Sequence, residues 1–143
     1  MSDPYCFELK NEIAELERLG RKLEQFGNSV GLTKKFLFQI NLAMDELFTN
    51  IVTYGYPDEG THQIQFEISM NDGEVLIRIE DTGVPFDPAN ALIPEPEAAI
   101  ENCKVGGLGL HLVRKLMDEI RYERSGAKNI TTLKKKIEPS TDS

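Results

Sequence analysis

The sequence is poor in cysteine, in basic residues relative to acidic ones, and in long apolar runs, and each shortage argues against a class of protein. Its two cysteines, Cys6 and Cys103, stand far apart and lack the spacing of a zinc site or a disulfide framework. This pattern favours a reducing, cytoplasmic setting. No apolar run approaches the roughly 20 residues of a membrane span, and the acidic start is unlike a signal peptide, so we expect no membrane anchor.

Basic residues are outnumbered: 16 lysines and arginines face 24 aspartates and glutamates, which gives a formal net charge of -8. A surface of that sign repels phosphate backbones, which argues against direct contact with nucleic acid. The 143 residues suit one domain and are too few for two independent cores. We therefore expect a single domain over 1–143, with its core over about 8–137 and a polar, frayed tail over 138–143.

Apolar residues recur at steps of three and four in two segments, which predicts two helices. The first is expected from Glu8 to about Phe26, ended by Gly27-Asn28. Its apolar stripe is interpreted as core or as the surface of a homodimer. The second is expected to begin near Thr33, whose hydroxyl can cap the first turn, and to stop by Gly55.

Alternating apolar residues then predict two strands, around 64–70 and 75–79, joined in a hairpin across Asn71-Asp72-Gly73. Residues 82–105 follow without clear periodicity, apart from a short helix expected around 97–102. Because this connection is far longer than usual, it is interpreted as a lid.

A third helix and two final strands complete the predicted elements, over about 110–117, 119–124 and 129–137. The lysine run 134–136 is interpreted as the solvated edge of the sheet. The whole order predicts an α+β fold: a two-layer α/β sandwich with an antiparallel or mixed sheet and helices on one face.

Glu46 and Asn50 lie four residues apart on the second predicted helix, so both side chains project from one face. A carboxylate there can accept a proton. An amide oxygen is a hard, neutral ligand suited to a Mg²⁺ ion that already bears phosphate oxygens. The pair is equally typical of an ordinary solvated helix face, so spacing alone leaves both interpretations open.

Asp81 continues the parity of Val75, Ile77 and Ile79, so it ends the inward face of its strand with a carboxylate. A buried carboxylate needs a donor, such as a backbone N–H, a water molecule or the amino group of a bound base. Gly83 would let a ligand approach the backbone closely. The alternative is that Asp81 simply begins a turn.

Gly106, Gly107 and Gly109 come just before the third predicted helix. The open backbone N–H groups of a helix N-terminus bind phosphate, so the glycines are interpreted as a polyphosphate cradle. They also suit a flexible entry to a helix that binds nothing.

Three stretches in this order resemble the ATP-binding domain of the GHKL superfamily, which gyrase-type topoisomerases, ninety-kilodalton heat-shock chaperones, histidine kinases and MutL repair proteins share. They are Asp45–Asn50, Glu80–Pro88 and Val105–Val113. The resemblance extends over about residues 8–137. The short length and the segment from Gly106 through Tyr122 are most similar to the bacterial anti-sigma-factor serine kinases.

The resemblance implies ATP and Mg²⁺ as cofactors and gives each motif a role. It implies that Glu46 is the catalytic base and that Asn50 binds Mg²⁺. It implies that Asp81 takes the adenine amino group and that Gly83 lies against the base. The residues implied to serve the phosphates are Lys104, Gly106, Gly107, Leu108, Gly109 and Leu110.

Two departures from the family pattern concern the nucleotide. Some relatives carry an arginine where this chain has Val105, with Lys104 one place earlier. The last strand of relatives usually offers a threonine near the adenine-binding aspartate; here Asn129 and Thr131 share the inward parity, and either can serve.

The resemblance implies an ATP-dependent serine/threonine kinase that acts as an anti-sigma regulatory factor. Its expected partners are a STAS-domain anti-anti-sigma protein, which it phosphorylates, and a sigma factor. One alternative is a nucleotide-binding regulatory or scaffold module without turnover. Another is a detached histidine-kinase catalytic domain, which is disfavoured because only one helix precedes the ATP site. His62 and His111 are each interpreted as structural or solvated and not as phosphoryl carriers, because neither stands in a visible acid–base pair.

Overall fold

The chain forms five strands and three helices in the part that the computed structural model describes: residues 4–58, 60–86 and 107–137, with only the backbone for 107–110. In chain order they are β1 Tyr5–Lys10, α1 Leu16–Val30, α2 Lys34–Tyr54, β2 Gln63–Asn71, β3 Glu74–Asp81, α3 Gly107–Leu116, β4 Glu119–Ser125 and β5 Lys128–Lys136. The strands pair in the order β1-β2-β3-β5-β4, antiparallel throughout. None of the described helices has the length and apolarity to cross a bilayer.

One face of the sheet is apolar and carries the helices. Alternate strand residues point into this layer and are buried, among them Leu9, Ile64, Phe66, Ile77, Ile79 and Leu133. They pack in one cluster with buried residues of all three helices, including Leu23, Ile40, Phe48 and Val113. Each such side chain contributes roughly 1.5–3 kcal/mol when it leaves water. The predicted two-layer α+β fold is confirmed, with an antiparallel sheet.

The start of the first helix was predicted wrongly. Leu9 lies in β1, opposite Ile64 of β2, where it is fully buried. Ile13 lies in a 3₁₀ turn and is 48% exposed. The spacing of three and four residues therefore extended from the helix into β1 by coincidence. Within β1 itself, buried and exposed residues alternate, as is typical of a strand.

The end of the first helix also differs from the prediction. Gly27 lies inside α1, which continues to Val30 and is capped by Gly31 in a left-handed conformation with φ of 76°. Glycine favours that conformation, which explains why the helix ends there. The apolar stripe of α1, including Leu19 and Leu23, is buried in the core of the same chain. It therefore lends no support to a homodimer.

Two local predictions are confirmed. Thr33 caps α2, because its Oγ1 accepts a hydrogen bond of 3.1 Å from the backbone N–H of Phe36, and the helix ends just before Gly55. The β2–β3 hairpin turns at Asp72 and Gly73, which have φ of 51° and 77°. Two consecutive positive φ values are typical of the tight turn that matches the twist of paired strands.

Helix α3 begins at Gly107, three residues before the predicted start at Leu110. Gly107 and Gly109 therefore belong to its first turn. Of the predicted lid, only residues 82–86 lie within the described part of the chain. The short helix expected around 97–102, together with Lys104 and Gly106, lies outside the described residues.

The lysine run was wrongly predicted to form an edge, because β5 lies between β3 and β4. Lys135 shares the inward parity of Leu133, and its Nζ donates a 2.6 Å hydrogen bond to the carbonyl oxygen of Leu116, the last residue of α3. The same ammonium lies 5.4 Å from the centre of the Phe36 ring. The aliphatic part of the Lys135 side chain can thus pack under the helix, while its ammonium group donates to a carbonyl oxygen that has no partner at the helix end.

Candidate functional site

A pocket opens between α2 and the ends of β3 and β5. Leu47, Ile51 and Ile79 are among the apolar residues of its lining. Four polar side chains also line it, each only 4% to 6% exposed: Asn50, Asp81, Asn129 and Thr131. A concave, mainly apolar site with a few converging polar groups is typical of a small-molecule site.

Asp81 ends β3 with its carboxylate in the pocket wall, as its parity predicted. Its Oδ1 accepts two hydrogen bonds of 2.9 Å, one from the backbone N–H of Gly83 and one from the Nδ2 of Asn129. Among the described residues, no group donates to its Oδ2. Asp81 therefore begins a turn with one oxygen and keeps the other as an acceptor for a ligand.

Asn129 and Thr131 both face the pocket from β5, but they are not equally available. Asn129 pairs with Asp81 across the strands, and its amide bonds protein groups at both ends. Thr131 pairs with Ile79, one pleat deeper, and its hydroxyl has no hydrogen bond to another described side chain. Of these two β5 residues, Thr131 is therefore the one whose side chain has no hydrogen-bond partner within the described part of the chain.

Gly83 is needed first by the packing of the protein itself. A Cβ at this position would stand 2.7 Å from the carbonyl oxygen of Gly55, the residue that caps the end of α2. That oxygen accepts a 2.8 Å hydrogen bond from the Val84 N–H, and the Tyr56 hydroxyl accepts one of 3.1 Å from the Thr82 N–H. The turn after β3 is therefore attached directly to the end of α2. Contact between Gly83 and a base stays a prediction.

Asn50 lies in the last turns of α2 with its side chain in the pocket. Its Nδ2 is buried without a hydrogen-bond partner among the described residues. An unpaired buried amide is costly, and its two ends can exchange by a flip, so either can turn toward a ligand. No cluster of three His, Cys, Asp or Glu suited to a metal occurs in the described part of the chain. A cation here would thus depend on the Asn50 oxygen and on ligand oxygens, which fits the chemistry of Mg²⁺.

Glu46 lies one turn before Asn50 on α2 and is partly exposed. The structure does not include it in the lining of the pocket formed by the described residues. Burial, together with the adjacent charge of Glu46, raises the pKa of Asp45. Asp45 and Glu46 are thus two adjacent carboxyl groups on α2 whose charges interact.

The first turn of α3 supplies the only part of the predicted phosphate cradle within the described residues. Its backbone is helical over Gly107, Leu108, Gly109 and Leu110, and α3 packs against α2. The first four N–H groups of a helix have no partner inside it. The phosphate-binding roles of these residues remain predictions.

The two histidines occupy different surroundings. His62 stacks on Tyr56 with ring centres 4.4 Å apart, and its Nε2 lies 2.9 Å from the Oδ2 of Asp58. Together with the Gly60 N–H, which contributes most, His62 lowers the pKa of Asp58. His111 is exposed on α3. His62 is therefore held in a structural contact.

Sequence reasoning missed Tyr122 and Arg124 of β4. The hydroxyl of Tyr122 donates to the Oδ1 of Asn129, and Arg124 Nη1 donates to the same oxygen at 3.1 Å. Arg124 Nη1 also donates to the carbonyl oxygen of Gly83 at 2.8 Å. Both residues share the inward parity of Ile120, and that signal could have identified them.

Comparison with known proteins agrees with this geometry. A family model described as a histidine kinase-like ATPase domain matches residues 9–135. The serine/threonine-protein kinase BtrW of Bordetella bronchiseptica is 31% identical over 96 residues, 67% of this chain and 68% of that protein. The serine-protein kinase RsbW of Halalkalibacterium halodurans is 30% identical over 80% of this chain and 70% of its own length. RsbW of Listeria monocytogenes is 27% identical over 86% and 80%, respectively.

Two solved structures share the fold. The RsbU and RsbW domains of Rv1364c from Mycobacterium tuberculosis align with a TM-score of 0.68 and 19% identity, over 97% of this chain and 34% of that one. The SiaB-SiaC complex from Pseudomonas aeruginosa aligns with a TM-score of 0.61 and 16% identity, over 92% and 88%. This chain thus spans about a third of the tuberculosis chain. It belongs to the histidine kinase-like ATPase domain family and, within that family, groups with the bacterial serine kinases BtrW and RsbW.

Proposed function

We propose that this protein is an ATP-dependent serine/threonine kinase that acts as an anti-sigma regulatory factor. Its proposed substrate is a serine or threonine on a STAS-domain anti-anti-sigma protein, and a sigma factor is its second proposed partner. The relatives named as serine kinases support transfer to a protein hydroxyl. The cytoplasm, where such partners work, is the proposed setting.

The observation that carries the proposal is the convergence of Asn50, Asp81 and Thr131 on one pocket. Asp81 offers a free acceptor, Oδ2, to the exocyclic amino group of adenine, and Thr131 offers a hydroxyl beside it. Asn50 brings an unpaired amide from the opposite wall. We assign the threonine role at the base to Thr131 because the amide of Asn129 is already engaged within the protein.

The residues of this chain would mainly position the reacting groups, because phosphoryl transfer needs little covalent help. Asn50 would hold Mg²⁺, whose chemistry when bound is to neutralise charge on the phosphate oxygens. The backbone N–H groups of Gly107 through Leu110, with Gly106 and Lys104 before them, would hold the phosphates. Glu46 would accept the proton of the attacking hydroxyl, a role often worth about 10²–10⁴ in rate.

The rival function is a nucleotide-responsive binding module that holds ATP and a partner without turnover. The observation that favours this rival is the position of Glu46, which lies outside the pocket lining formed by the described residues. The two functions differ in one product, since only a kinase leaves a phosphate on the partner.

The test is incubation with ATP labelled on its γ-phosphate and a STAS-domain protein from the same organism. We expect label on a serine or threonine of the partner, stable to conditions that hydrolyse phosphohistidine. The Glu46→Gln variant should keep its affinity for ATP in calorimetry and lose label transfer, because only the proton acceptor changes.

Each result has a separate meaning. Nucleotide binding without label in the wild-type protein would favour the binding module. Label transfer that survives Glu46→Gln at full rate would show that another group takes the proton. Absence of ATP binding would reject the nucleotide site altogether.

A further inference from the structure

The side-chain amide of Asn129 lies at the centre of a hydrogen-bond network behind the pocket. Its Nδ2 is 2.9 Å from Asp81 Oδ1, 3.1 Å from the Gly83 carbonyl oxygen and 2.9 Å from the Val84 carbonyl oxygen. An amide nitrogen has only two hydrogens, so these three acceptors already share all of its donor capacity. Asn129 therefore has no hydrogen left to offer a ligand.

The other end of the same amide is held by β4. Its Oδ1 accepts hydrogen bonds from the Tyr122 hydroxyl and, at 3.1 Å, from Arg124 Nη1. A guanidinium group can only donate, and carbonyl oxygens can only accept. The orientation of the amide is thus determined by its surroundings: oxygen toward Arg124, nitrogen toward Asp81.

Arg124 also holds the turn that follows β3. Its Nη1 donates to the carbonyl oxygen of Gly83 at 2.8 Å, and its Nε donates to that of Gly126 at 3.1 Å. The backbone of Gly83 is thereby bonded from β4 by Arg124 and from β5 by Asn129. Because these bonds link neighbouring parts of a rigid sheet, they restrict how the Asp81 turn can move.

The consequence for the pocket concerns the Asp81 carboxylate. Asn129 and the Gly83 N–H occupy Oδ1, so the carboxylate can rotate only at the cost of both hydrogen bonds. Oδ2 is left as an acceptor at a fixed place in the wall. A bound base that presents an amino group there gains a hydrogen bond, whereas one that presents a carbonyl oxygen sets two acceptors against each other.

We propose that Asn129, oriented by Arg124 and Tyr122, is a positioning residue that sets base selectivity by holding the Asp81 carboxylate in place, so that its Oδ2 faces the base. The selected ligands are nucleoside triphosphates whose base carries an exocyclic amino group at this point. The rejected ones carry a carbonyl oxygen there. This inference rests on the proposed ATP site and adds residues that act through Asp81 without contacting the base.

The test compares calorimetric affinities for ATP and for inosine triphosphate, which replaces the amino group of adenine with a carbonyl oxygen. The wild-type protein should prefer ATP by roughly 10-fold or more, because a buried acceptor that faces another acceptor makes no hydrogen bond, and this is costly. Arg124→Met and Tyr122→Phe should each reduce this ratio several-fold. A thermal melt verifies that each variant is folded, because partial unfolding would lower both apparent affinities alike and leave the ratio unchanged.

Asn129→Asp provides a variant of nearly the same shape that removes the donor to Asp81 itself. It sets a second carboxyl group where the amide now donates to Asp81 Oδ1, and two carboxyl groups this close to each other share one proton between them. The new carboxyl group also faces the carbonyl oxygens of Gly83 and Val84, to which the amide now donates, so the turn after β3 loses these hydrogen bonds. We therefore expect the ratio of ATP affinity to inosine triphosphate affinity to fall, as in Arg124→Met.

Arg121→Met is the matched control, because Arg121 lies on the opposite face of β4 and pairs with Glu119 at 3.1 Å. Its ratio should equal that of the wild-type protein. Unchanged ratios in Arg124→Met and Tyr122→Phe would overturn the inference and leave ATP binding standing. Equal wild-type affinity for the two nucleotides would also overturn it. A wild-type protein that binds neither nucleotide would reject the proposed function itself.

Discussion

Gly83 lies so close to Gly55 that a Cβ on residue 83 would stand 2.7 Å from the Gly55 carbonyl oxygen. The two residues are 28 positions apart in the sequence, at the end of β3 and the end of α2. Their contact brings Asp81 and Asn50 to opposite walls of one pocket. The glycine of this motif is therefore explained by the approach of two backbone segments, whether or not a ligand is bound.

Gly83→Ala should destabilise the protein and weaken nucleotide binding. The new methyl group would meet a backbone oxygen, which cannot move aside as a flexible side chain can, and it would stand 3.0 Å from Asp81 Oδ1. Forced overpacking of this kind costs about 1–3 kcal/mol. Urea unfolding would measure the loss of stability, and calorimetry with ATP would measure the loss of affinity.

Gly20→Ala is the control for this substitution. Gly20 lies within α1, and outside the backbone of that helix a Cβ there would have Asn41 Oδ1 as its nearest neighbour, at an ordinary distance of 3.8 Å. Alanine inside a helix is favoured over glycine by about 0.5–1 kcal/mol, so this variant should be more stable than the wild-type protein. Equal effects of the two alanines would contradict the close contact.

Asp81→Asn should remove most of the affinity for ATP while the fold persists. Oδ1 of residue 81 accepts from Gly83 and Asn129, so the asparagine oxygen must stay there and its amino group must take the place of Oδ2. A donor would then face the adenine amino group. We expect a loss of roughly 10- to 100-fold, since an unpaired buried polar group costs about 1–3 kcal/mol.

Calorimetry would measure that loss, and a thermal melt without nucleotide would verify that the variant is folded. Unchanged affinity would reject the contact between Asp81 and the base. Because the variant presents a donor, its binding of inosine triphosphate should suffer less than its binding of ATP.

Local signals in the sequence were sufficient for several parts of the site. The hydroxyl of Thr33 marked the start of α2, and Asp72-Gly73 marked the hairpin that orients β3. Strand parity alone predicted that Asp81, Asn129 and Thr131 face inward. These features depend on residues adjacent in sequence or on the period of one element, so they can be recognised without a structure.

Other features depend on contacts between distant segments. Whether Asn129 or Thr131 is free for a ligand depends on Arg124 and Tyr122, which approach Asn129 only once β4 pairs with β5. The strand β1 was missed because Leu9 fits the spacing of the helix that follows, and only pairing with Ile64 assigns it to the sheet. Pairing partners and packing neighbours have no local signal.

Lys135→Met should lower stability by about 1 kcal/mol, because it removes a hydrogen bond from an ammonium to the open end of a helix. The bond to the Leu116 carbonyl oxygen and the contact with the Phe36 ring would both be lost, whereas the aliphatic part of the side chain would remain. Chemical unfolding would measure the difference. Lys136→Met is the control, since Lys136 is exposed on the next position of the same strand. A similar loss in both variants would mean that only the charge matters.

Asp45→Asn should make the protein more stable at pH 7 and leave its stability unchanged near pH 3. Burial, and then the charge of Glu46, raises the pKa of Asp45 above its ordinary value of 3.8. The folded state therefore holds this proton more tightly than the unfolded state, so stability falls as pH rises from about 3.8 through the folded pKa and stays lower above it. Asparagine removes that penalty.

Urea unfolding at both pH values would measure the effect, and Asp72→Asn, in the exposed hairpin turn, controls for the loss of one negative charge. A variant that loses stability at pH 7 would show that the Asp45 carboxylate makes a favourable contact in the folded protein.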